Sequence, residues 1–351
     1  MPELHCIVLY TEYNKRQIKP RVLISEAPCR DSHIRIKFLH MSSVRLVWRS
    51  PGVVICGVII MAVKTIPNFR KAASENSDTC GANLCDQSPK ATEWKDLGKD
   101  PVIVSMLYNE AIQGCCNDCY FIAALSSVAW AAPQELDLYT TYYFNGVKVE
   151  LDSKKLPVAN NTVLYADIPT SGEIWAPLYE KAYAKWRSGN TSNEPDIPSS
   201  IGGGGSGFQA LKEITGYTNP TNAFDTTDET TDTIWTNIVD GGKIIKGGIY
   251  ETYKTKYPSF AETRSTDFNK TGIYKDHTYS LLGKVKDTST GKRYFVLRNP
   301  YANKRPEPNE NVIKPAISFF GINLSADADG VFALDIVKFK EYFKKYGSVK
   351  P

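Results

Sequence analysis

Apolar positions along the chain fall into helix-period and strand-period blocks, and the tightest block is residues 113–130, QGCCNDCYFIAALSSVAW. Gly114, Asn117 and Asp118 suit a tight loop and a helix N-cap, and bulky apolar residues follow at Tyr120, Phe121, Ile122 and Leu125. Pro133 cannot continue a helix. The pattern predicts a buried helix with Asp118 as its cap, Cys119 in its first turn and Gln113 in the loop before it. A second, amphipathic helix is predicted over residues 173–187, where Trp175, Leu178, Tyr179, Ala182, Tyr183 and Trp186 recur at three-and-four spacing. Alternation predicts strands at 146–151 and 163–168. Four glycines at 202–205 then interrupt the chain, ahead of a short helical pattern at Phe208, Leu211 and Ile214. From residue 244 the pattern turns to strands at 244–250, 277–285, 293–297 and 316–320, with turns at 287–291 and 299–300. A final helix carries Ile336, Phe339, Tyr342, Phe343 and Tyr346 on one face. A helical first half and a β-rich second half predict an α+β protein of two lobes.

Composition narrows the function. The 351 residues are 42% hydrophobic and 23% charged, as in an ordinary globular protein. A net charge of +4, with no basic stripe interleaved with aromatics, argues against nucleic acid as a partner. All eight cysteines lie at or before Cys119, unlike the spread of a disulfide scaffold. Cys80-x4-Cys85 with Cys116-x2-Cys119 could supply four thiolates to zinc, but the first pair sits in a polar stretch without knuckle glycines.

Residues 1–75 stand apart. Basic residues outnumber acids there, and the run VVICGVIIMAV at 53–63 follows Arg45 and Arg49. If translation starts at Met41, residues 41–63 have the layout of a signal or anchor segment, and the protein is secreted or membrane-anchored. Otherwise the run is a strand or an artefact of the assigned start codon, and the protein is cytoplasmic. It is too short for a confident membrane span.

Candidate chemistry converges on few side chains. A thiol at a helix N-terminus lies where the dipole favours the thiolate. Beyond residue 40 the only imidazole is His277, which opens a predicted strand, and Asn299 ends the next strand. Singly, these read as a small core residue, a strand histidine and an Asn-Pro turn. In this order they make the Cys-His-Asn constellation of papain-like thiol hydrolases, with Cys119 as nucleophile, His277 as proton carrier and Asn299 orienting the ring. Gln113 lies where its amide could join the Cys119 N–H in stabilising an oxyanion.

The segments Gln113-Gly114 and Asp118-Cys119-Tyr120 resemble the active-site segment of calpain-family cysteine proteases, with Tyr120 where many members have Trp. Asp276-His277-Thr278-Tyr279-Ser280 and Arg298-Asn299-Pro300 resemble the family's histidine and asparagine segments, and residues 175–185, WAPLYEKAYAK, its helix. The resemblance covers about residues 100–346 and implies a papain-like core of two lobes. Residues 76–215 would carry Cys119, residues 216–351 would carry His277 and Asn299, and the glycine-rich crossing near 202–216 would be the hinge. It implies a cysteine endopeptidase acting on protein or peptide substrates. Tyr301-Ala302 stands where the family usually has Trp-Gly. A transglutaminase-like acyl transfer normally uses Asp as third residue, so Asn299 argues against it. A degenerate protease kept as an interaction module is the binding-class alternative, although all three residue types are present.

The resemblance also implies two calcium sites. The acidic ligands of the first-lobe site fall on Glu110 and Glu173. Those of the second fall on Arg305, Asp329 and Val331, where the arginine repels a cation and the valine has no side-chain oxygen. The expectation is at most one calcium ion, at Glu110 and Glu173, and no organic cofactor. An EF-hand is not expected, since Asp327-Ala328-Asp329-Gly330 lacks the later ligands.

Overall fold

The computed structural model describes residues 5–12, 21–28, 45–50, 53–58, 91–97, 106–136, 141–159, 162–169, 171–189, 191–218, 223–246, 248–266, 271–302, 317–324 and 329–351. The chain divides into Met1–Pro67 and Asn68–Pro351. In the first unit His5–Glu12 pairs antiparallel with Arg21–Pro28, and Arg45–Ser50 with Val53–Val58. The described part of the 53–63 run is therefore strand. Cys80, Cys85 and Arg305 lie outside the described residues.

The second unit is mixed α/β. Its helices are α1 (Cys119–Ala131), α2 (Trp175–Arg187), α3 (Ile197–Ile201), α4 (Gly207–Thr215), α5 (Thr231–Asn237) and α6 (Ile336–Tyr342). Helix α1 is buried all round because its residues are apolar or small on every face, whereas α2 buries an aromatic stripe. Phe121 stacks on Tyr183, and Tyr142 and Phe144 meet Tyr179 and Tyr183 edge-on. Aromatic pairs of this kind add to the area term at the centre of the helical core.

The main sheet has eight strands: β1 (Ala223–Asp225), β2 (Asp240–Lys246), β3 (Tyr250–Thr255), β4 (Ser259–Thr263), β5 (Thr278–Asp287), β6 (Arg293–Arg298), β7 (Val331–Asp335) and β8 (Phe343–Ser348). The order runs β1-β8-β4-β5-β3-β2, and β6 joins β5 to β7; every pairing is antiparallel. Period-two alternation feeds a core on each face, with Phe295 and Leu297 on one and Tyr294 and Val296 on the other. A register shift between Leu281 and Gly283 turns β5 from the first core to the second. Gly283 is required there, since a Cβ would lie 2.2 Å from the Tyr253 carbonyl oxygen.

Three expectations are corrected. The strand expected over 163–168 is split into Thr162–Val163 and Ala166–Asp167, because Tyr165 adopts a left-handed φ of 70°. The strand expected over 244–250 holds only to Lys246, where β2 ends; the chain then turns, and Tyr250 opens β3 as its hairpin partner. The last helix stops at Tyr342; Phe343–Ser348 is strand, where pairing with β4 overrides the helical spacing of Phe339, Phe343 and Tyr346.

Helix α1 is fastened to the sheet by side chains. Ser280 Oγ donates to the Ala123 carbonyl at 2.7 Å, Trp130 Nε1 to the Leu282 carbonyl at 2.8 Å, and Ser127 Oγ bridges the Ser259 carbonyl (2.8 Å) and N–H (2.7 Å).

Candidate active site

Cys119 is the first residue of α1 and Asp118 its N-cap, as the sequence predicts. The Asp118 side chain makes no capping hydrogen bond. Cys119 is 6% exposed and lies beside Thr278, the first residue of β5, whose N–H and hydroxyl favour the thiolate. Burial, together with the nearby Asp118 carboxyl, pushes the thiol up to about 12, against the thiolate preference expected at a helix N-terminus.

His277 immediately precedes Thr278. Its backbone is held by Thr263 of β4: the Thr263 N–H (2.9 Å) and hydroxyl (3.1 Å) donate to the His277 carbonyl, and the His277 N–H donates to that hydroxyl at 2.9 Å. Asp276 before it adopts a φ of 46°, costly for a residue with a side chain, and Ser265 Oγ steadies its carboxyl at 2.6 Å. Asn299, fully buried, follows β6 and sets its Oδ1 2.9 Å from His277 Nε2. That oxygen also accepts the Tyr301 N–H at 3.1 Å. The Tyr301 ring lies parallel to the imidazole, centroids 4.9 Å apart at 8°, while Tyr274 and Tyr279 close other sides. Tyrosine thus covers the His–Asn hydrogen bond without the indole expected from the resemblance. Burial pulls the His277 pKa down to about 4, opposed by Asn299.

Gln113 is buried; its N–H donates to the Pro300 carbonyl at 2.9 Å and its Nε2 to the Cys116 carbonyl at 2.7 Å. Gln113, expected in a loop, ends the short strand Ile112–Gln113 paired with Ala166–Asp167, and that strand is tied to the residue after Asn299. Sequence reasoning missed the residue that holds these segments together, Arg298. Fully buried, it donates to the carbonyls of Ala111 (2.8 Å), Asn109 (3.1 Å) and Asp329 (3.1 Å). Its place in the Arg298-Asn299-Pro300 motif was the only available signal. Thr263 had none.

The glycine run borders the same place. A Cβ on Gly202 would lie 3.2 Å from Cys116 Sγ, one on Gly205 2.7 Å from the Tyr120 ring, and one on Gly207 2.8 Å from Thr278 Cγ2. The Tyr120 hydroxyl reaches the Ile201 carbonyl at 3.3 Å. Cys115 is disulfide-bonded.

Of the expected calcium ligands, Glu110 is 2% exposed and its Oε2 accepts the Leu107 N–H (3.0 Å) and Trp175 Nε1 (2.8 Å). Ser171 and Glu173 also hydrogen-bond to it, and burial raises its pKa. The structure brings Glu110 and Glu173 together. Asp329 accepts from Asn109 Nδ2 at 3.1 Å, and Val331 is buried in apolar surroundings.

Residues 140–346, well over half of the chain, match the model of the calpain family of cysteine proteases, and the chain belongs to that family. Cys119 and Gln113 lie ahead of the matched span. A thiol protease of Porphyromonas gingivalis (strain ATCC BAA-308 / W83) is 28% identical over 294 residues, covering 74% of this chain and 59% of that protein. The calpain-like protease palB/RIM13 of Aspergillus oryzae (strain ATCC 42149 / RIB 40) is 25% identical over 206 residues, covering 58% of this chain and 22% of that protein. The chain thus spans less than two thirds of either relative's length.

Proposed function

We propose that the chain is a cysteine endopeptidase of papain-like, two-lobed architecture that cleaves peptide bonds with Cys119, His277 and Asn299. The observation that carries the reading is the 2.9 Å His277–Asn299 hydrogen bond, with Cys119 beside Thr278, the residue next to that histidine. The Cys119 sulfur attacks the scissile carbonyl carbon. Its proton passes to the imidazole and then to the leaving amine, and water hydrolyses the thioester. Asn299 accepts from Nε2 and leaves Nδ1 for the sulfur and the leaving group. The Cys119 N–H and the Gln113 amide are the oxyanion donors, the latter turning from the Cys116 carbonyl as substrate enters. Residues 76–215 and 216–351 form the lobes, and the glycine run crosses between them.

An electrophilic epoxide inhibitor of thiol proteases tests the assignment directly. It should modify Cys119 and spare Cys116, and His277→Ala should abolish the labelling. Equal modification of both cysteines would favour an interaction module with a degenerate site.

The donor set in the first lobe suits a hard cation: Glu110 and Glu173 carboxylates with the Ser171 hydroxyl, all oxygen. Glu110 and Glu173 would hold one calcium ion, which would offset the charge of two neighbouring carboxylates. Among the described residues no group of three His, Cys, Asp or Glu side chains is arranged to hold a metal ion, so main-chain oxygens and water would complete the shell. Calorimetric titration of the Cys119→Ala protein should give at most one bound ion, lost in Glu110→Gln with Glu173→Gln, and activity should depend only partly on calcium. Two bound ions, or binding that survives the double substitution, would refute the site. Full activity in chelator would show that the lobes close without metal.

A further inference from the structure

Asp118 poses a problem that the triad does not answer. It is fully buried at the head of the helix that carries Cys119, and neither carboxyl oxygen finds a hydrogen-bond donor. Glu180, on α2, is 1% exposed; its Oε2 accepts the Ala166 N–H at 3.1 Å and its Oε1 finds no donor. The two carboxyls lie within hydrogen-bonding reach of each other. Two buried carboxylates in contact cannot both ionise without a cation to offset them. No ion pair reaches either among the described residues. The titratable groups acting on the pair from neighbouring elements are Cys119, Tyr120, Tyr165 and Asp167, all neutral or acidic. Arg187, at the far end of α2, is paired with Glu213.

We propose that Asp118 and Glu180 share a proton in a buried carboxylic acid–carboxylate hydrogen bond, which fixes the first turn of α1 against α2 and thereby positions Cys119. The pair holds a proton at neutral pH, carrying one negative charge rather than two. That matters because charge on Asp118 opposes formation of the neighbouring thiolate. This role rests on the proposed part of Cys119 as nucleophile, whereas the shared proton does not. Burial raises Glu180 well above the ordinary carboxylate range and takes Asp118 up to about 7. The unfolded chain releases these protons near pH 4 and the folded chain retains them, so the pair's contribution to stability falls as pH rises from about 4 to about 7.

Isotope-edited infrared spectroscopy on Cys119→Ala protein with 13C-labelled Asp and Glu reads the proton directly. The expected result is a protonated-carboxyl band at pH 7 that is lost or shifted in Asp118→Asn and in Glu180→Gln. These variants keep the side-chain shape and provide an amide donor, so the fold is retained. Absence of the band at pH 7, or indifference of the band to both substitutions, would overturn the proposal. In the active enzyme Glu180→Gln should keep kcat near the unsubstituted value and move the alkaline limb of the pH profile upward. Glu180→Leu should lower kcat roughly tenfold or more at little change in KM, the scale of one lost buried hydrogen bond to a charged group. Equal kcat in the Gln and Leu variants, or an alkaline limb unmoved in Glu180→Gln, would remove the positioning role. If Cys119→Ala retained activity while the band persisted, the nucleophile assignment would fall and the shared proton would stand.

Discussion

Cys119→Ala and His277→Ala are each expected to lower kcat/KM on casein by roughly a thousandfold or more, and the double variant by little beyond either single one. Residues that act as a unit in nucleophilic catalysis lose their effect together. The pH profile carries the mechanistic part of the same experiment. Buried separately, the thiolate of Cys119 and the imidazolium of His277 are each disfavoured, the first pushed up to about 12 and the second down to about 4. Transfer of the proton from sulfur to ring creates both charges side by side with no change in net charge, and each then offsets the burial of the other. Activity should therefore rise along an acid limb near the His277 value and be established well below the ordinary thiol pKa of about 8.5. A rate that rises only through the thiol range would mean that His277 takes no proton. Wild-type cleavage of casein by either single variant would remove the triad altogether.

Arg298→Met is expected to produce the largest loss of stability of any single change near the site. Methionine fills much of the volume but leaves the carbonyls of Ala111, Asn109 and Asp329 without the guanidinium donors they now have. Each buried orphaned acceptor costs about 1–3 kcal/mol, so a total of roughly 3 kcal/mol or more is expected. In a domain of this size that lowers Tm by about 6–12 °C. Thermal unfolding in the Cys119→Ala background, which prevents self-cleavage, gives the measurement. Arg298→Lys should recover only part of the loss, because one ammonium cannot reproduce a fork that reaches three carbonyls. A Tm within about 2 °C of the parent in Arg298→Met would show that water replaces the guanidinium.

The contrast between Arg298 and Cys119 shows what was legible in the chain. The residue types and order of Cys119, His277 and Asn299 announce a chemistry, and the periodic aromatics of α2 announce a buried face. Arg298 and Thr263 act on backbone atoms of distant segments, and a carbonyl has no signature in sequence. Asp118 looks like an ordinary cap and Glu180 like a helix-surface acid, until folding brings together positions 62 apart and buries both. The end of the chain misled for a related reason. Phe339, Phe343 and Tyr346 keep helical spacing and pack in one core, but main-chain pairing to β4 sets the conformation after residue 342. Tyr165 reversed an apparent strand through a backbone angle that tyrosine rarely adopts.

Helix α1 is anchored through Ala123, Ser127 and Trp130 to strands that are translated more than a hundred residues later. β8, made later still, lies between β1 and β4 in the finished sheet. On the ribosome, then, Cys119 emerges long before His277, and the strands that anchor its helix are still to be made. Through that interval the sulfur has neither the ring nor the sheet beside it.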